Sequence, residues 1–159
     1  MDVKIKSDEG NFKFRVSGLV LLNDRVLTVN INNNGFYCLP GGHVHLGEDT
    51  ITAMKREIYE EIGVKAKDVS LMTIIESFFV NKFNKTVHEI GYYYIITPED
   101  LGEKVNDFSL VENDEGELKN LDFKWINLDD IDKENFRPAV LKEKLKNRDY
   151  SFTHIITND

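Results

Sequence analysis

Apolar residues alternate with polar ones, or run on for several positions, in a series of short segments along the chain. β-Branched and aromatic residues are frequent in these segments, and Gly, Pro, Asn and Asp separate them, which is typical of β-strands joined by turns. The pattern predicts strands at residues 12–23, 26–32, 70–80, 88–97 and 121–128, with a short extended piece at 36–40. Residues 98–116 are polar and acidic, which indicates a long loop.

Two segments repeat their apolar residues at helical spacing instead. A helix is predicted at residues 50–62, and its apolar stripe consists of Ile51, Met54, Ile58 and Ile62. This stripe is expected to face a core. A closing helix is predicted at residues 137–147, with Pro138 in its first turn. Because strands and helices interleave, the predicted fold is an α/β sandwich.

Composition and charge limit the classes of protein that this chain can represent. Its 159 residues suit one domain, which we expect to span residues 1–159, and a hydrophobic fraction of 41% is enough for a core. A single cysteine excludes an internal disulfide. The sequence contains no secretory leader pattern and no apolar run of membrane length, so a cytoplasmic protein without a membrane partner is expected. A formal net charge of −8 argues against binding to duplex nucleic acid.

Three glutamates are crowded into the predicted helix at residues 50–62. Glu57 and Glu61 are four positions apart, and Glu60 lies beside them. Like charges at this spacing cost a helix about 0.2–0.5 kcal/mol per pair. Arg56 can pair with Glu60 across one turn but cannot neutralise all three carboxylates. A hard cation such as Mg²⁺ or Mn²⁺ would neutralise them, because it takes oxygen ligands.

The loop before this helix adds an anion site to the predicted cation site. Gly41 and Gly42 allow a sharp turn and a close approach of the backbone to a ligand. The helix opens near Glu48, and its free N–H groups favour an anion. The two features together predict a site for a metal-bound polyphosphate.

The spacing of these residues resembles the sequence motif of the Nudix hydrolase (MutT-type) family. Gly42 is followed after five residues by Glu48, and after seven more by the consecutive residues 56–58, which are Arg, Glu and Ile. Glu60 and Glu61 follow, and then a glycine and a valine at positions 63–64 complete the motif in full register. The segments LPGG and FKWINLDDI also look like the family, so the resemblance extends loosely over most of the chain.

The resemblance implies a fold, an activity and a set of site residues. The implied fold is a mixed β-sheet between helices, an α/β/α sandwich. The implied reaction is metal-dependent attack of water on phosphorus, which cleaves a nucleoside diphosphate linked to another group, such as a nucleoside triphosphate. Glu57, Glu60 and Glu61 would bind the metal, Arg56 would hold the glutamates in place, and Glu48 would support the site.

The resemblance leaves the general base and the pocket residues open. The base of related enzymes is often outside the motif. The candidates here are Glu89, Glu112, Glu115, Glu117 and Asp122. The backbone of Gly41 and Gly42 is expected to approach the phosphates or the metal, and Tyr37 is the aromatic residue placed to reach the substrate.

Two other functions compete with hydrolysis. The chain could be a Nudix-like module that senses a nucleotide without cleaving it, although such modules usually have a broken motif. It could also be an isomerase of isoprenoid diphosphates, which would require a catalytic cysteine, and Cys38 is a weak candidate. The partner expected in each case is a small molecule. The identity of the substrate, the number of metals and a homodimer are left open by the sequence.

Overall fold

The computed structural model describes residues 1–158, most of which form an extended β-sheet. The strands are β1 (Lys4–Lys6), β2 (Asn11–Leu22), β3 (Arg25–Ile31), β4 (Gly41–His43), β5 (Ala66–Val80), β6 (Thr86–Pro98), β7 (Phe108–Asp114), β8 (Glu117–Asn127) and β9 (Thr153–Thr157). The helices are α1 (Thr50–Ile62), α2 (Lys142–Lys146) and three 3₁₀ turns at Gly102–Val105, Leu128–Lys133 and Ala139–Leu141. No helix of these residues is long and apolar enough to cross a bilayer.

The sheet is mixed. Its main strand order is β7-β8-β3-β2-β6-β5-β9, and β1 and β4 also pair with β2. β2 runs parallel to β6, and β5 runs parallel to β9. The other neighbouring strands are antiparallel. β2 therefore lies at the centre and positions the site strand β4.

Helical segments cover both faces of this sheet. Val16 and Val20 of β2 belong to the same core cluster as the buried residues of α1. Leu19, on the opposite face, belongs to a second cluster that includes residues of α2 and the 3₁₀ turns. Successive side chains of a strand point to opposite faces, so one strand serves both cores. The predicted mixed sheet between helices is confirmed.

Helix α1 begins and ends with ordinary capping contacts. Asp49 is the N-cap and accepts a 2.8 Å hydrogen bond from the Thr52 amide, and Gly63 ends the helix with φ of 67°. The buried residues of the helix are Ala53, Met54, Ile58 and Ile62. The prediction that Ile51 belongs to this stripe is wrong, because that residue lies on the solvent flank of the first turn and is 47% exposed.

Residues 98–116 are not a long loop. They contain a 3₁₀ turn and strand β7, whose seven residues pair with β8. Phe108 and Leu110 pack against the core, while Ser109 between them is exposed. The acidic composition concealed a strand because β7 is at the edge of the sheet and exposes most of its side chains.

The C-terminal helix is shorter than predicted. Only Lys142–Lys146 is α-helical, after the 3₁₀ turn Ala139–Leu141. Pro138 has an extended conformation with ψ of 134° and lies before that turn, not in it. Strand β9, which was not predicted, pairs in parallel with β5. Its five residues are too few for a clear alternating pattern to be read from sequence.

Candidate active site

Strand β4 brings the glycine pair against helix α1. Gly41 and Gly42 pair with Ser17 and Val16 of β2, so they lie in an extended strand and not in a sharp turn. A side chain at position 41 would collide with the backbone of β2, and one at position 42 would collide with the carboxylate of Glu57. The glycines are therefore needed for close approach, and Gly42 allows the Glu57 carboxylate to lie directly against β4.

Arg56 connects the acidic residues of the motif. Its Nε and Nη2 donate to the two oxygens of Glu48 at 2.8 and 3.0 Å. Its Nη1 donates to Glu57 at 2.7 Å and to Glu60 at 3.2 Å, and Nη2 also reaches the carbonyl of His43 at 3.0 Å. Hydrogen bonds from Arg56 lower the pKa of the Glu48 carboxyl group. One guanidinium group therefore holds the carboxylates of Glu48, Glu57 and Glu60 in place.

Glu61 is the motif glutamate that Arg56 does not reach. Its Oε2 is shielded from solvent and has no hydrogen-bond partner among the described residues. Burial, followed by the charges of Glu57 and Glu112, raises the pKa of Glu61 to about 8. The pKa of Glu57 is raised as well, chiefly by burial. The charge of Arg15 and a backbone hydrogen bond from Gly41 offset this rise only in part, and Glu61 forms no ion pair within residues 1–158.

The three glutamates that were predicted as metal ligands are not gathered around one point. Within residues 1–158, no group of three or more His, Cys, Asp or Glu side chains is arranged to hold a metal ion. The side chain of Glu60 is 54% exposed and turns towards Arg56. Glu57 and Glu61 are one turn apart on α1, and the charge of Glu57 raises the pKa of Glu61. The donor set still fits a hard cation, since an unpartnered buried carboxylate oxygen requires a positive charge.

The candidate bases outside the motif lie in different places. Glu112, on β7, is the one whose charge raises the pKa of Glu61. Asp122 accepts a 2.7 Å hydrogen bond from Ser109 on the exposed face of the same hairpin. Glu115 and Glu117 line a cavity of about 370 Å³ together with lysines of β1 and β2. The role of general base stays a prediction, and Glu112 is the best placed of these four.

Arg15 is a residue of the site that the sequence analysis missed. It lies on β2 opposite His43, and its surroundings include Glu89 and Glu61. Its Nε is shielded from solvent and makes no hydrogen bond in the described part of the chain. The sequence does contain a sign of it, which is an arginine inside the largely apolar segment FKFRVSGLVLL. Charged residues are rare in buried strands.

Tyr37 packs against the second core cluster, and Cys38 packs against the first. Tyr37 forms an isolated bridge with Phe136, and the ammonium group of Lys124 lies 5.2 Å from the centre of its ring. Its contact with a substrate stays a prediction. Burial raises the pKa of the Cys38 thiol to about 11, so the isomerase alternative lacks a thiolate at neutral pH.

A family model described as NUDIX domain matches residues 12–148. The chain belongs to the NUDIX family. This match covers β2 to α2 and includes the glycine pair, Arg56 and the glutamates, so the resemblance drawn from the sequence motif is confirmed.

Curated relatives in the NUDIX family match shorter stretches. The chain is 37% identical over 65 residues to an ADP-ribose pyrophosphatase of Methanocaldococcus jannaschii, over 39% of this chain and 38% of that protein. It is 34% identical over 74 residues to an RNA pyrophosphohydrolase of Francisella philomiragia, over 45% of this chain and 47% of that protein. The matches thus span less than half the length of each of these relatives.

Solved structures support the fold over a greater length. A MutT protein from Bacillus halodurans has a TM-score of 0.67 at 17% identity, covering 91% of this chain and 89% of that one. A NUDIX hydrolase from Nitrosomonas europaea has a TM-score of 0.58 at 18% identity, covering 88% and 91% of the two chains. At such identities the likeness establishes the NUDIX fold and nothing about the substrate.

Proposed function

We propose that this chain is a divalent-cation-dependent pyrophosphohydrolase. Its substrate would be a nucleoside diphosphate linked to another group, such as a nucleoside triphosphate, and water would attack phosphorus. The names of two relatives, an ADP-ribose pyrophosphatase and an RNA pyrophosphohydrolase, support cleavage of a diphosphate linkage. They differ in the group attached to the diphosphate, so they do not select a substrate for this chain.

The observation that carries this proposal is the state of Glu61. Its buried Oε2 has no partner in the described residues, and its pKa is about 8. A carboxyl group in this state is costly to the fold unless a cation binds beside it. Glu57 lies one turn away on the same helix, held against Gly42. These two carboxylates would hold Mg²⁺ or Mn²⁺, with Glu60 as a third, more exposed ligand.

The residues of this chain would each make a distinct contribution to the reaction. A bound divalent cation neutralises phosphate oxygens and makes a coordinated water more acidic. Arg56 orients Glu57 through its 2.7 Å hydrogen bond and is itself fixed by Glu48. Strand β4 presents its backbone next to the carboxylates, because the glycine at position 42 lets the Glu57 carboxylate lie directly against the strand.

Glu112 would accept the proton of the attacking water. It lies on β7, outside the motif, and its negative charge acts on Glu61. A general base must lie within reach of the attacking water. A carboxylate that is not itself a metal ligand is free to take this role. Glu112 is half-buried on an edge strand, which leaves it accessible to water and close to the cluster.

A panel of substrates tests this function. Nucleoside triphosphates, ADP-ribose and RNA carrying a 5′-triphosphate are incubated with the purified chain in Mg²⁺, Mn²⁺ or EDTA, and products are separated by anion-exchange chromatography. We expect cleavage of a diphosphate linkage in at least one substrate with a divalent cation, and none with EDTA. Binding of a nucleotide without product under every condition would favour the sensing module. Equal turnover in EDTA would refute the metal-dependent reaction.

A further inference from the structure

Arg15 is a half-buried arginine whose side chain forms no hydrogen bond or ion pair within residues 1–158. Its Nε has no contact with solvent and no hydrogen bond, and its guanidinium forms no ion pair within residues 1–158. An arginine remains charged in a protein, since its pKa is too high for it to lose a proton. A shielded N–H of a charged group that lacks a hydrogen-bond partner is costly to the fold. The arrangement therefore leaves Arg15 able to bind a further acceptor.

The strand ladder places this charge next to the acidic site. Arg15 is directly opposite His43 on β4, so it lies one residue from Gly42, against which the Glu57 carboxylate packs. On its other side it is opposite Gly91 of β6, and the ring of Tyr93 lies over that glycine. The charge of Arg15 acts on both Glu57 and Glu61. Arg15 therefore lies near the predicted metal site.

The groups around Arg15 act on its charge without a direct contact to its guanidinium. Burial raises the pKa of both Cys38 and Tyr93, so the two are neutral at pH 7. The charges of Glu89 and Glu61 act on Arg15, but neither carboxylate forms a hydrogen bond or an ion pair with it within residues 1–158.

We propose that Arg15 binds a phosphate group of the substrate, next to the cation held by Glu57 and Glu61. This inference rests on the proposed function. Arg15 would contact the substrate phosphate on the β2 side of the site. The planar guanidinium can donate two parallel hydrogen bonds to phosphate oxygens. Its charge also offsets the repulsion that a chain of net charge −8 exerts on a polyphosphate.

The competing explanation is structural: Arg15 stabilises the fold through Glu89, by way of water. The two explanations predict opposite effects of Arg15→Met, which retains the aliphatic stem. A structural arginine makes the variant less stable than the parent without ligand. If Arg15 instead binds an anion of the substrate, the ligand-free variant should be at least as stable as the ligand-free parent, because a charged group without a direct partner is removed.

The test is calorimetric titration of inorganic pyrophosphate in Mg²⁺, together with thermal melts without pyrophosphate. The parent is compared with Arg15→Met, Arg15→Lys and the control Arg25→Met. Arg25 is on β3, where it donates to Val105 and lies over Trp125, remote from the acidic cluster. We expect Arg15→Met to weaken binding by about 10–100-fold, Arg15→Lys to weaken it less, and Arg25→Met to change it by less than about twofold.

Three results would overturn the inference. They are unchanged pyrophosphate affinity in Arg15→Met, a melt of that variant well below the melt of Arg25→Met, and a parent that does not bind pyrophosphate. Failure of the proposed function looks different. A parent that binds pyrophosphate through Arg15 but cleaves no substrate refutes the reaction alone. Metal-dependent cleavage with the same KM and kcat in Arg15→Met refutes the role of Arg15 alone.

Discussion

Replacing Glu61 by Gln should stabilise the metal-free protein at neutral pH while it destroys activity. The carboxyl group of Glu61 has a folded-state pKa of about 8, against an ordinary value of 4.5. Between these two pH values the folded protein retains a proton that the unfolded chain releases. Stability therefore falls as the pH rises through this window, and it is fully recovered below pH 4.5. Glutamine resembles the protonated acid and does not titrate.

The size of the effect follows from the shift in pKa. One pKa unit corresponds to 1.36 kcal/mol. The raised pKa of Glu61 therefore lowers the free energy of unfolding of the parent by about 3 kcal/mol at pH 7. For a chain of this size such a difference moves the melting temperature by about 6–12 °C. The parent and Glu61→Gln should have the same stability near pH 4.5 and diverge steadily up to pH 8.

The assay is a series of thermal melts in EDTA from pH 4.5 to 8, with Glu60→Gln as the matched control. Glu60 is adjacent on α1, but its side chain is 54% exposed and its contact is with Arg56, so its replacement should leave the pH dependence of the parent unchanged. If Glu61→Gln has the same melting temperature as the parent at every pH, the pKa of Glu61 is not raised in the folded protein. A variant that is unfolded without metal would show that Glu61 serves structure.

Three more substitutions test other contacts of the site. Arg56→Lys keeps a charge but loses the fork that bonds three carboxylates, so we expect a loss of about 1–3 kcal/mol in thermal stability and a slower initial rate. Gly42→Ala places a methyl group on the Glu57 carboxylate, and it should abolish the rise in melting temperature that Mg²⁺ gives the parent; an unchanged rise would contradict the close packing. Glu112→Gln should lower the initial rate by about 10²–10⁴-fold if Glu112 is the base, whereas Glu117→Gln, an exposed change on the same hairpin, should leave the rate unaltered.

The sequence predicted the parts of the fold that bury a regular apolar stripe. Strands β2, β5 and β6 and helix α1 were found near their true positions because long periodic segments must face a core on one side. Strand β7 was missed because an edge strand can expose acidic side chains along its length. Strand β9 was missed because five residues carry too little pattern.

The sequence also named the residues of the candidate site, but not how they are arranged. The motif implied that Arg56 would hold the glutamates in place, yet it did not indicate that Arg56 would bond Glu48, Glu57 and Glu60 and fail to reach Glu61. Arg15 is remote from the motif along the chain and meets it through the pairing of β2 with β4. Such a contact depends on strand register, which is fixed by the whole sheet.

The central claim is that Glu57 and Glu61 bind a divalent cation that the reaction requires. The most direct test is a titration of Mg²⁺ into the parent and into Glu57→Gln, in which the melting temperature and the initial rate on the best substrate of the panel are measured in the same samples. We expect both quantities to rise together in the parent, with one midpoint, and neither to rise in the variant. A parent whose rate is independent of Mg²⁺, or a variant that keeps both rises with the parent's midpoint, would contradict it.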